Sequence, residues 1–152
     1  MRFLKYAGIL VCLMVLAVSP AYAADADKGG KEEAKAMCEK AAALMKTDLT
    51  KAFAAFQDKN GEFFSKDLYV FVNDPKGVFL AHGTKPALVG KGGASMKDAN
   101  GFEFVKAFLE VKDKGWVDYK WGDPTDGNKI KDKSSYIIRV GDNIVGVGYY
   151  KE

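Results

Sequence analysis

The sequence DLYVFVND, residues 67–74, is dense in β-branched and aromatic residues, and PKG at 75–77 separates it from the extended run VFLAH at 78–82. β-Branched and aromatic residues favour strands, and a short segment with proline and glycine between two such runs is typical of a turn. The stretch therefore predicts a β-hairpin. The segments on either side indicate what this hairpin packs against.

Before the hairpin, apolar residues recur at helical spacing from residue 34 to residue 56. Thr47-Asp48 interrupts this pattern with residues that are typical of a helix N-cap. The sequence therefore predicts a long helix to about Lys46. A short second helix is expected to end near Asn60-Gly61, where glycine suits a helix terminus.

After the hairpin, residues 84–100 are rich in glycine, lysine and small side chains and predict a loop, whereas residues 101–114 return to helical spacing. Three strands are predicted at 116–121, 134–140 and 143–150, and their short connections favour antiparallel neighbours. The predicted fold class is α+β, an antiparallel sheet of about five strands with helices packed on one face. We expect the other face to receive a ligand beneath the loop.

The first 23 residues have the features of a secretory signal peptide, with two basic residues before an apolar run and Ala21-Tyr22-Ala23 as a cleavage pattern. The apolar run is shorter than the roughly 20 residues that cross a membrane. We expect cleavage after Ala23, a periplasmic or secreted location, no membrane-spanning segment after cleavage, and one domain at residues 24–152.

The predicted mature chain carries 21 basic and 20 acidic residues, because Arg2 and Lys5 lie in the signal peptide. Nucleic-acid binding depends on clustered lysine and arginine. A nearly neutral chain without a dense basic stripe is therefore not expected to bind nucleic acid.

Cys38 is the only cysteine after the signal peptide, so no internal disulfide is expected. Its helical position among alanines is typical of a small buried residue, with a free nucleophile or an intermolecular disulfide as the alternative. One cysteine and one histidine cannot form a haem-attachment motif or a structural zinc site, and the aspartates lack the order of a calcium loop. No metal or cofactor is expected.

His82 is the only histidine of the chain. Nucleophilic catalysis would need a serine or Cys38 beside it and a carboxylate to orient its ring. No serine lies in a G-x-S-x-G setting. We therefore expect a protein that is not an enzyme, and a small exported hydrolase using His82 is the alternative.

Aromatic residues and a lysine cluster in WVDYKW (116–121) and KSSY (133–136). Alternation along the first of these strands places Tyr119 and Trp121 on one face and Trp116 on the other. Tyrosine and tryptophan combine an apolar body with a hydrogen-bonding tip, and a few such groups beside a cation suit a small carboxylate. The sequence thus favours binding over catalysis.

Seven motifs, in this order and spacing, resemble the single Cache domain of the second type, an extracytoplasmic PAS-like sensor module. They are DLYVFVND, GVFLAHG, LVGK, KDANG, GWVDYKW, KSSY and GVGYY. The resemblance covers about residues 30–151. It implies a long N-terminal helix and a five- or six-stranded antiparallel sheet, whose pocket commonly takes short carboxylates such as acetate, propionate or pyruvate.

The resemblance also implies a set of ligand-binding residues. They fall on Tyr69, His82, Lys91, Tyr119, Trp121, Lys133 and Tyr136. Lys91 or His82 is expected to supply positive charge. Tyr119 and Tyr136 are expected to donate hydrogen bonds, and Trp121 to form an apolar wall. For the two lysines the alternative is a solvated side chain, because lysine is seldom buried unpaired.

These features predict a soluble periplasmic binding or sensory protein that recognises a small organic acid and relays its occupancy to a membrane histidine kinase or chemoreceptor. Many relatives hold the domain between two membrane helices, whereas this chain ends at Glu152 without a second apolar span. Direct transmembrane signalling is therefore not expected. An interaction module with a vestigial pocket is a further alternative.

Overall fold

The computed structural model of the protein describes residues 27–151, so the predicted signal peptide at 1–23 lies outside the described residues. The helices are α1 (Lys31–Thr47), α2 (Leu49–Gln57) and α3 (Phe104–Glu110), and a 3-10 helix spans Pro86–Leu88. The strands are β1 (Phe64–Ser65), β2 (Leu68–Asn73), β3 (Phe79–His82), β4 (Lys114–Asp123), β5 (Lys129–Val140) and β6 (Asn143–Tyr150). Within residues 27–151, no helix has the length and apolar character needed to span a membrane.

The six strands form one sheet in which all paired neighbours are antiparallel. The order is β1-β2-β6-β5-β4, and β3 pairs with the edge of β2 that β6 leaves free. The predicted hairpin is the pair β2 and β3, in which Phe71 lies opposite His82. This arrangement confirms the predicted α+β class.

Strand β2 is buried at all six of its positions. It has neighbours on both edges, and apolar layers cover both of its faces. A strand covered on both faces favours a continuous run of β-branched and aromatic residues over strict alternation. This is why LYVFVN reads as an unbroken apolar run.

One apolar core lies between the sheet and the first two helices. Cys38 and Ala41 of α1 and Phe56 of α2 pack in the same cluster as the even-numbered Val70 and Val72 of β2. Side chains two residues apart in a strand share a face. The even-numbered face of β2 is therefore the face that α1 and α2 cover.

The second apolar core lies on the opposite face of the sheet. There, Phe108 of α3 packs against Phe71 of β2 and Tyr119 of β4. Leu88 and Met96, from the chain between β3 and α3, pack against the same cluster. Helix α3 and this connecting chain therefore cover the face on which a ligand is expected.

Helix α3 is shorter than the predicted 101–114 because a turn precedes it. The Asp98 carboxylate accepts hydrogen bonds from the backbone amides of Asn100 at 2.8 Å and Phe102 at 3.0 Å. Gly101, inside this turn, has a φ of +82°, a left-handed conformation that favours glycine. In contrast, Asp48 caps α2 as predicted, since its carboxylate accepts from the Lys51 amide at 2.9 Å.

Strand β5 begins at Lys129, five residues before the predicted start at 134. The polar residues at its beginning pair with β4 as far as Asp123 opposite Lys129. A turn with Gly127 and Asn128 in left-handed conformations joins the two strands. The polar residues of KIKDK (129–133) did not indicate a strand, so the sequence prediction missed this part of the hairpin.

Gly146 of β6 makes room for the second core. A Cβ atom at this position would lie 2.3 Å from the Phe71 ring and 2.8 Å from Ile137 Cδ1. Phe71 and Ile137 are both buried. The ring of Phe71 therefore occupies space that any side chain at residue 146 would need.

We expect Gly146→Ala to lower the free energy of unfolding by about 1–3 kcal/mol, because the added methyl group overpacks the core. Gly92→Ala is the matched control, since a Cβ there would have nothing within 4 Å. Its effect should stay within about 0.5 kcal/mol. Urea denaturation of both variants measures the difference, and equal stability of the wild type and Gly146→Ala would contradict the packing argument.

Candidate functional site

A small aromatic cavity lies on the face of the sheet that α3 covers. Its walls are Tyr69, Phe71, Phe79, His82, Phe104, Phe108, Tyr119 and Trp121. The cavity volume is about 10 Å³, which is room for about one water molecule. In this conformation the side chains nearly fill the cavity, so a larger ligand requires its cover to move.

Lys133 of β5 lies beside this cavity, with only 1 % of the residue exposed. Its ammonium nitrogen donates hydrogen bonds to the hydroxyl oxygens of Tyr69 at 2.8 Å and Tyr150 at 3.4 Å. The same nitrogen lies 4.1 Å and 4.6 Å from the centroids of these two rings, which are cation–π distances. Among residues 27–151, no carboxylate forms an ion pair with Lys133.

Gly148 of β6 leaves the space that the Lys133 side chain occupies. A Cβ atom on Gly148 would lie 2.6 Å from Lys133 Cε and 2.2 Å from Ser135 Oγ. Gly148 pairs with Ser135 across the two strands, and Lys133 pairs with Tyr150. The GVGYY motif therefore combines a gap for the lysine stem with a ring against its ammonium group.

The three buried tyrosines of this region differ in their acidity. Burial raises the pKa of Tyr69, but the charge of Lys133 and the hydrogen bonds from Lys133, Tyr150 and Thr84 together hold this pKa below its ordinary value. Burial raises the pKa of both Tyr119 and Tyr150, and Tyr69 nearby adds to the rise. Tyr119 and Tyr150 are therefore neutral, and Tyr69 is the hydroxyl that Lys133 polarises.

His82 is a neutral imidazole in this environment. Its Nδ1 atom accepts hydrogen bonds from the backbone amides of Lys85 at 3.1 Å and Thr84 at 3.4 Å, which places the ring proton on Nε2. Burial lowers the pKa of His82 to about 3, and the charges of Lys133 and Lys85 contribute. His82 therefore does not supply the positive charge expected of it, but it can donate a hydrogen bond.

Residues 84–103, here called the covering segment, connect β3 to α3, and their Leu88 and Met96 pack against the aromatic cluster around the cavity. Lys85 places its ammonium nitrogen 4.4 Å from the ring centroid of Trp121. Asp98 accepts a hydrogen bond from the backbone amide of Lys120 at 2.9 Å. Both contacts reach β4, so the covering segment is attached to the far edge of the sheet.

The structure brings five of the seven predicted binding residues together. Tyr69, His82, Tyr119 and Trp121 line the cavity, and Lys133 lies directly behind Tyr69. Lys133 is buried, so the alternative that its side chain is solvated at a strand end is wrong. That these five residues bind a ligand remains a prediction.

Tyr136 lies on the opposite face of the sheet. Its ring packs against Trp116 with a centroid distance of 4.9 Å, within the core that α1 covers. Residues 133 and 136 are an odd number of positions apart, so a regular strand directs them to opposite faces. Alternation applied across KSSY would have separated Tyr136 from Lys133 in the sequence.

Lys91 is exposed at the surface. Its backbone carbonyl accepts a hydrogen bond from the amide of Phe79 at 3.0 Å, but its side chain does not line the cavity. The expectation that Lys91 faces the cavity is wrong, because the backbone of the segment pairs with β3 while the side chain projects into solvent.

Several residues of the site were absent from the sequence prediction. They are Phe71, Phe79, Phe104 and Phe108 in the cavity wall, with Lys85, Tyr150 and Gly148 around it. The alternation of β2 indicates Phe71, since it shares the face of Tyr69. No sequence pattern distinguished Lys85 from the other lysines of the loop.

Cys38 lies across the sheet from His82. Its Sγ atom donates a hydrogen bond to the carbonyl oxygen of Tyr136 at 3.3 Å, and the residue is completely buried. Burial strongly raises the pKa of the Cys38 thiol. Cys38 is therefore a packed core residue that cannot act as a nucleophile beside His82, and its burial leaves it inaccessible to an intermolecular disulfide.

A wider, open depression of about 350 Å³ lies near the edge strand β4, beside Asp98 and Phe102. Tyr119 and Lys133 also line this depression, and four of its other charged side chains form two ion pairs. Lys151 binds Asp118 at 2.7 Å, and Lys120 binds Asp132 at 2.7 Å. These four charges already have partners, whereas the Lys133 ammonium points to the Tyr69 hydroxyl of the aromatic cavity. The smaller cavity is therefore the better candidate for an anion site.

A family model described as a Cache domain matches residues 31–152 of this chain. The match extends over nearly all of the described residues and includes each element from α1 to β6. None of the curated proteins compared with the chain matches it.

Three solved structures are similar to this chain. A methyl-accepting chemotaxis protein from Vibrio parahaemolyticus RIMD 2210633 is 26% identical, with a TM-score of 0.69, and the match covers 79% of this chain and 87% of that chain. A periplasmic sensor domain of a chemotaxis protein is 23% identical, with a TM-score of 0.62 and coverage of 80% and 90%. A Cache chemosensory domain solved to explain carboxylic acid recognition is 24% identical, with a TM-score of 0.61 and coverage of 80% and 88%.

The low pKa of His82 predicts a specific pH dependence of stability. The unfolded chain binds a proton near pH 6.5, whereas folded His82 does so only near pH 3. The free energy of unfolding should therefore fall by about 2 kcal/mol from about pH 7 to about pH 5.

The variant His82→Gln should lose this decrease, because glutamine does not titrate and can still accept the Lys85 amide hydrogen bond. Urea denaturation of both proteins across this pH range measures the decrease in the free energy of unfolding. His82 is the only histidine of the chain, so no other histidine contributes to the difference between the two proteins. Parallel pH profiles for the two proteins would contradict the neutral, buried state of His82.

Proposed function

The chain belongs to the Cache domain family, and we propose that it is an extracytoplasmic sensor of a short-chain carboxylate. The proposal rests on this family and on the buried ammonium group of Lys133. Acetate, propionate and pyruvate are the proposed ligand class. The protein relays its occupancy to a membrane partner, a histidine kinase or a chemoreceptor. The predicted signal peptide at 1–23 supports a periplasmic or secreted location.

The observation that carries this proposal is the burial of Lys133 without a carboxylate partner among residues 27–151. Removing an ammonium group from water costs several kcal/mol, and neutral hydroxyls and ring faces offset only part of that cost. An anionic ligand would supply the missing charge. A carboxylate can take the place of the Tyr69 oxygen as the acceptor for Lys133.

The cavity wall suits the remainder of such a ligand. Phenylalanine and tryptophan rings surround the space and provide an apolar wall for a short carbon chain. His82 Nε2 and the Tyr119 hydroxyl are neutral groups that can donate hydrogen bonds. One cation, a few neutral donors and aromatic walls favour a monocarboxylate.

Ligand entry would couple binding to a change in surface shape. The cavity volume of about 10 Å³ is too small for a carboxylate of four heavy atoms. Part of the wall must therefore move, and the proposed movement involves α3, which carries Phe104 and Phe108, together with the covering segment before it. The contacts of that segment through Lys85 and Asp98 are those that would rearrange. This movement is the proposed signal to the membrane partner.

The size of the ligand limits its affinity. A ligand of four to six heavy atoms gains at most roughly 1.5 kcal/mol per atom, or about 6–9 kcal/mol in total. This corresponds to a Kd in roughly the millimolar to micromolar range. Such an affinity suits reversible sensing of an external solute.

The chemotaxis structures support a sensory role at the level of a small-molecule sensing domain, since the Vibrio parahaemolyticus protein shares 26% of its residues and most of its length with this chain. The hydrolase alternative gains no support from His82, whose Nδ1 accepts from backbone amides. Orientation by a carboxylate is the arrangement that nucleophilic catalysis requires.

Propionate at about 100 times its Kd should stabilise the wild-type protein by about 2.7 kcal/mol, which raises Tm by about 10 °C. Lys133→Met should abolish the shift. The same variant should leave the ligand-free protein equally or more stable, because it removes a buried charge without a carboxylate partner. Thermal unfolding with and without propionate measures both effects.

Lys91→Ala is the matched control, since Lys91 is an exposed lysine outside the cavity. It should keep the full Tm shift. A panel of short carboxylates that leaves Tm unchanged, or a shift that survives Lys133→Met, would contradict the proposed function.

A further inference from the structure

We propose that Tyr150 is a positioning residue of the anion site, which holds the Lys133 ammonium at the cavity and so sets the preference for anionic over neutral ligands. The inference rests on the proposed function and extends it to a residue outside the cavity wall. Tyr150 is nearly the last residue that the structure describes, at the end of β6.

Tyr150 fixes Lys133 through both its ring and its oxygen. The Lys133 nitrogen lies 4.6 Å from the ring centroid and 3.4 Å from the hydroxyl oxygen. The Tyr150 hydroxyl donates its own proton to the carbonyl oxygen of Gly122 at 2.7 Å. Since the proton is used there, the oxygen faces Lys133 as an acceptor.

Tyr150 itself is held by the end of β4. Gly122, which accepts its proton, precedes Asp123, a residue with no exposed surface. Asp123 forms ion pairs with Lys131 at 2.8 Å and with Lys28. These contacts fix the position of the Gly122 carbonyl and, through it, the Tyr150 ring.

Tyr150 leaves the charge of Lys133 available to a ligand. Burial raises the pKa of Tyr150, so it stays neutral and does not form an ion pair with the ammonium group. Lys28, the second ammonium group near the same ring at 5.8 Å, is already paired with Asp123. Of the two cations beside this ring, Lys133 is the one that forms no ion pair with a carboxylate of the described part of the chain.

The test compares Tyr150→Leu and Tyr150→Phe with Tyr149→Phe as the matched control. Tyr149 is the neighbouring tyrosine on the opposite face, where it packs against Trp116 with a centroid distance of 5.7 Å. Leucine removes the ring face and the hydroxyl, whereas phenylalanine removes only the hydroxyl. Circular dichroism establishes that each variant is folded.

The first measurement is the affinity for propionate and for propionamide, its neutral analogue, by calorimetry. Tyr150→Leu should weaken propionate binding by about 30-fold and Tyr150→Phe by about 5-fold. Propionamide binding should change by less than about 3-fold, because it does not use the charge. A merely structural role would weaken both ligands equally, which would overturn the inference.

The second measurement needs no ligand. Limited reductive methylation with formaldehyde and a borane reductant, which releases no carboxylate, reports the accessibility of each lysine by mass spectrometry, with exposed Lys91 as the internal reference. Lys133 should react slowly in the wild type and in Tyr149→Phe, and at least about 10-fold faster in Tyr150→Leu. Should Tyr150→Leu fail to fold, Tyr150→Phe carries the test with a smaller increase.

The two measurements separate the two proposals. If the wild type binds no carboxylate but Tyr150 variants expose Lys133, the proposed ligand is wrong and the positioning role of Tyr150 stands. If propionate binds the wild type and the variants change neither Lys133 reactivity nor the preference for propionate over propionamide, the proposed function stands and the role of Tyr150 is wrong.

Discussion

The burial of one ammonium group is the constraint on which the functional half of this structure depends. Lys133 lies inside the protein with two tyrosine rings and their hydroxyls as its partners. Gly148 leaves the space for its stem. A buried cation without a carboxylate is costly, so the fold keeps at its centre a charge that a small anion can satisfy. Stability and ligand affinity are therefore opposed at this residue.

The two faces of the sheet differ in the residues that they bury. Helices α1 and α2 close an apolar core in which even Cys38 is a packed, inert residue. The opposite face carries the buried polar groups His82, Lys133 and Ser135 within an aromatic cluster. The first core contains the long helix and the larger of the two apolar clusters. Under the proposed function, this core would keep the fold stable while the second face rearranges around a ligand.

Backbone hydrogen bonds at Gly90, Lys91 and Gly93 attach the covering segment to β3 and to the turn before it, whereas its contacts with β4 involve two side chains. The covering segment reaches β4 through the Lys85 contact with Trp121 and the Asp98 bond to the Lys120 amide. Contacts of this kind near the surface contribute on the order of 1 kcal/mol each. Such energies are comparable to what a ligand of a few atoms can supply. The nearly filled cavity and the weak contacts between the covering segment and β4 therefore fit the proposed domain, whose occupied and empty states would differ in shape.

The sequence by itself determined the elements and the two-sided character of the sheet, because strand propensity, helical spacing and turn residues act over a few positions. DLYVFVND predicted the β2–β3 hairpin, and alternation placed Tyr119 and Trp121 together. The tertiary structure alone decided that Lys133 is buried, that Lys91 is exposed, and that the side chains nearly fill the cavity. The burial of Lys133 depends on the register of β5 and β6, which brings Gly148 and Tyr150 against it. Burial is a property of such neighbours, and no local pattern around a lysine specifies them.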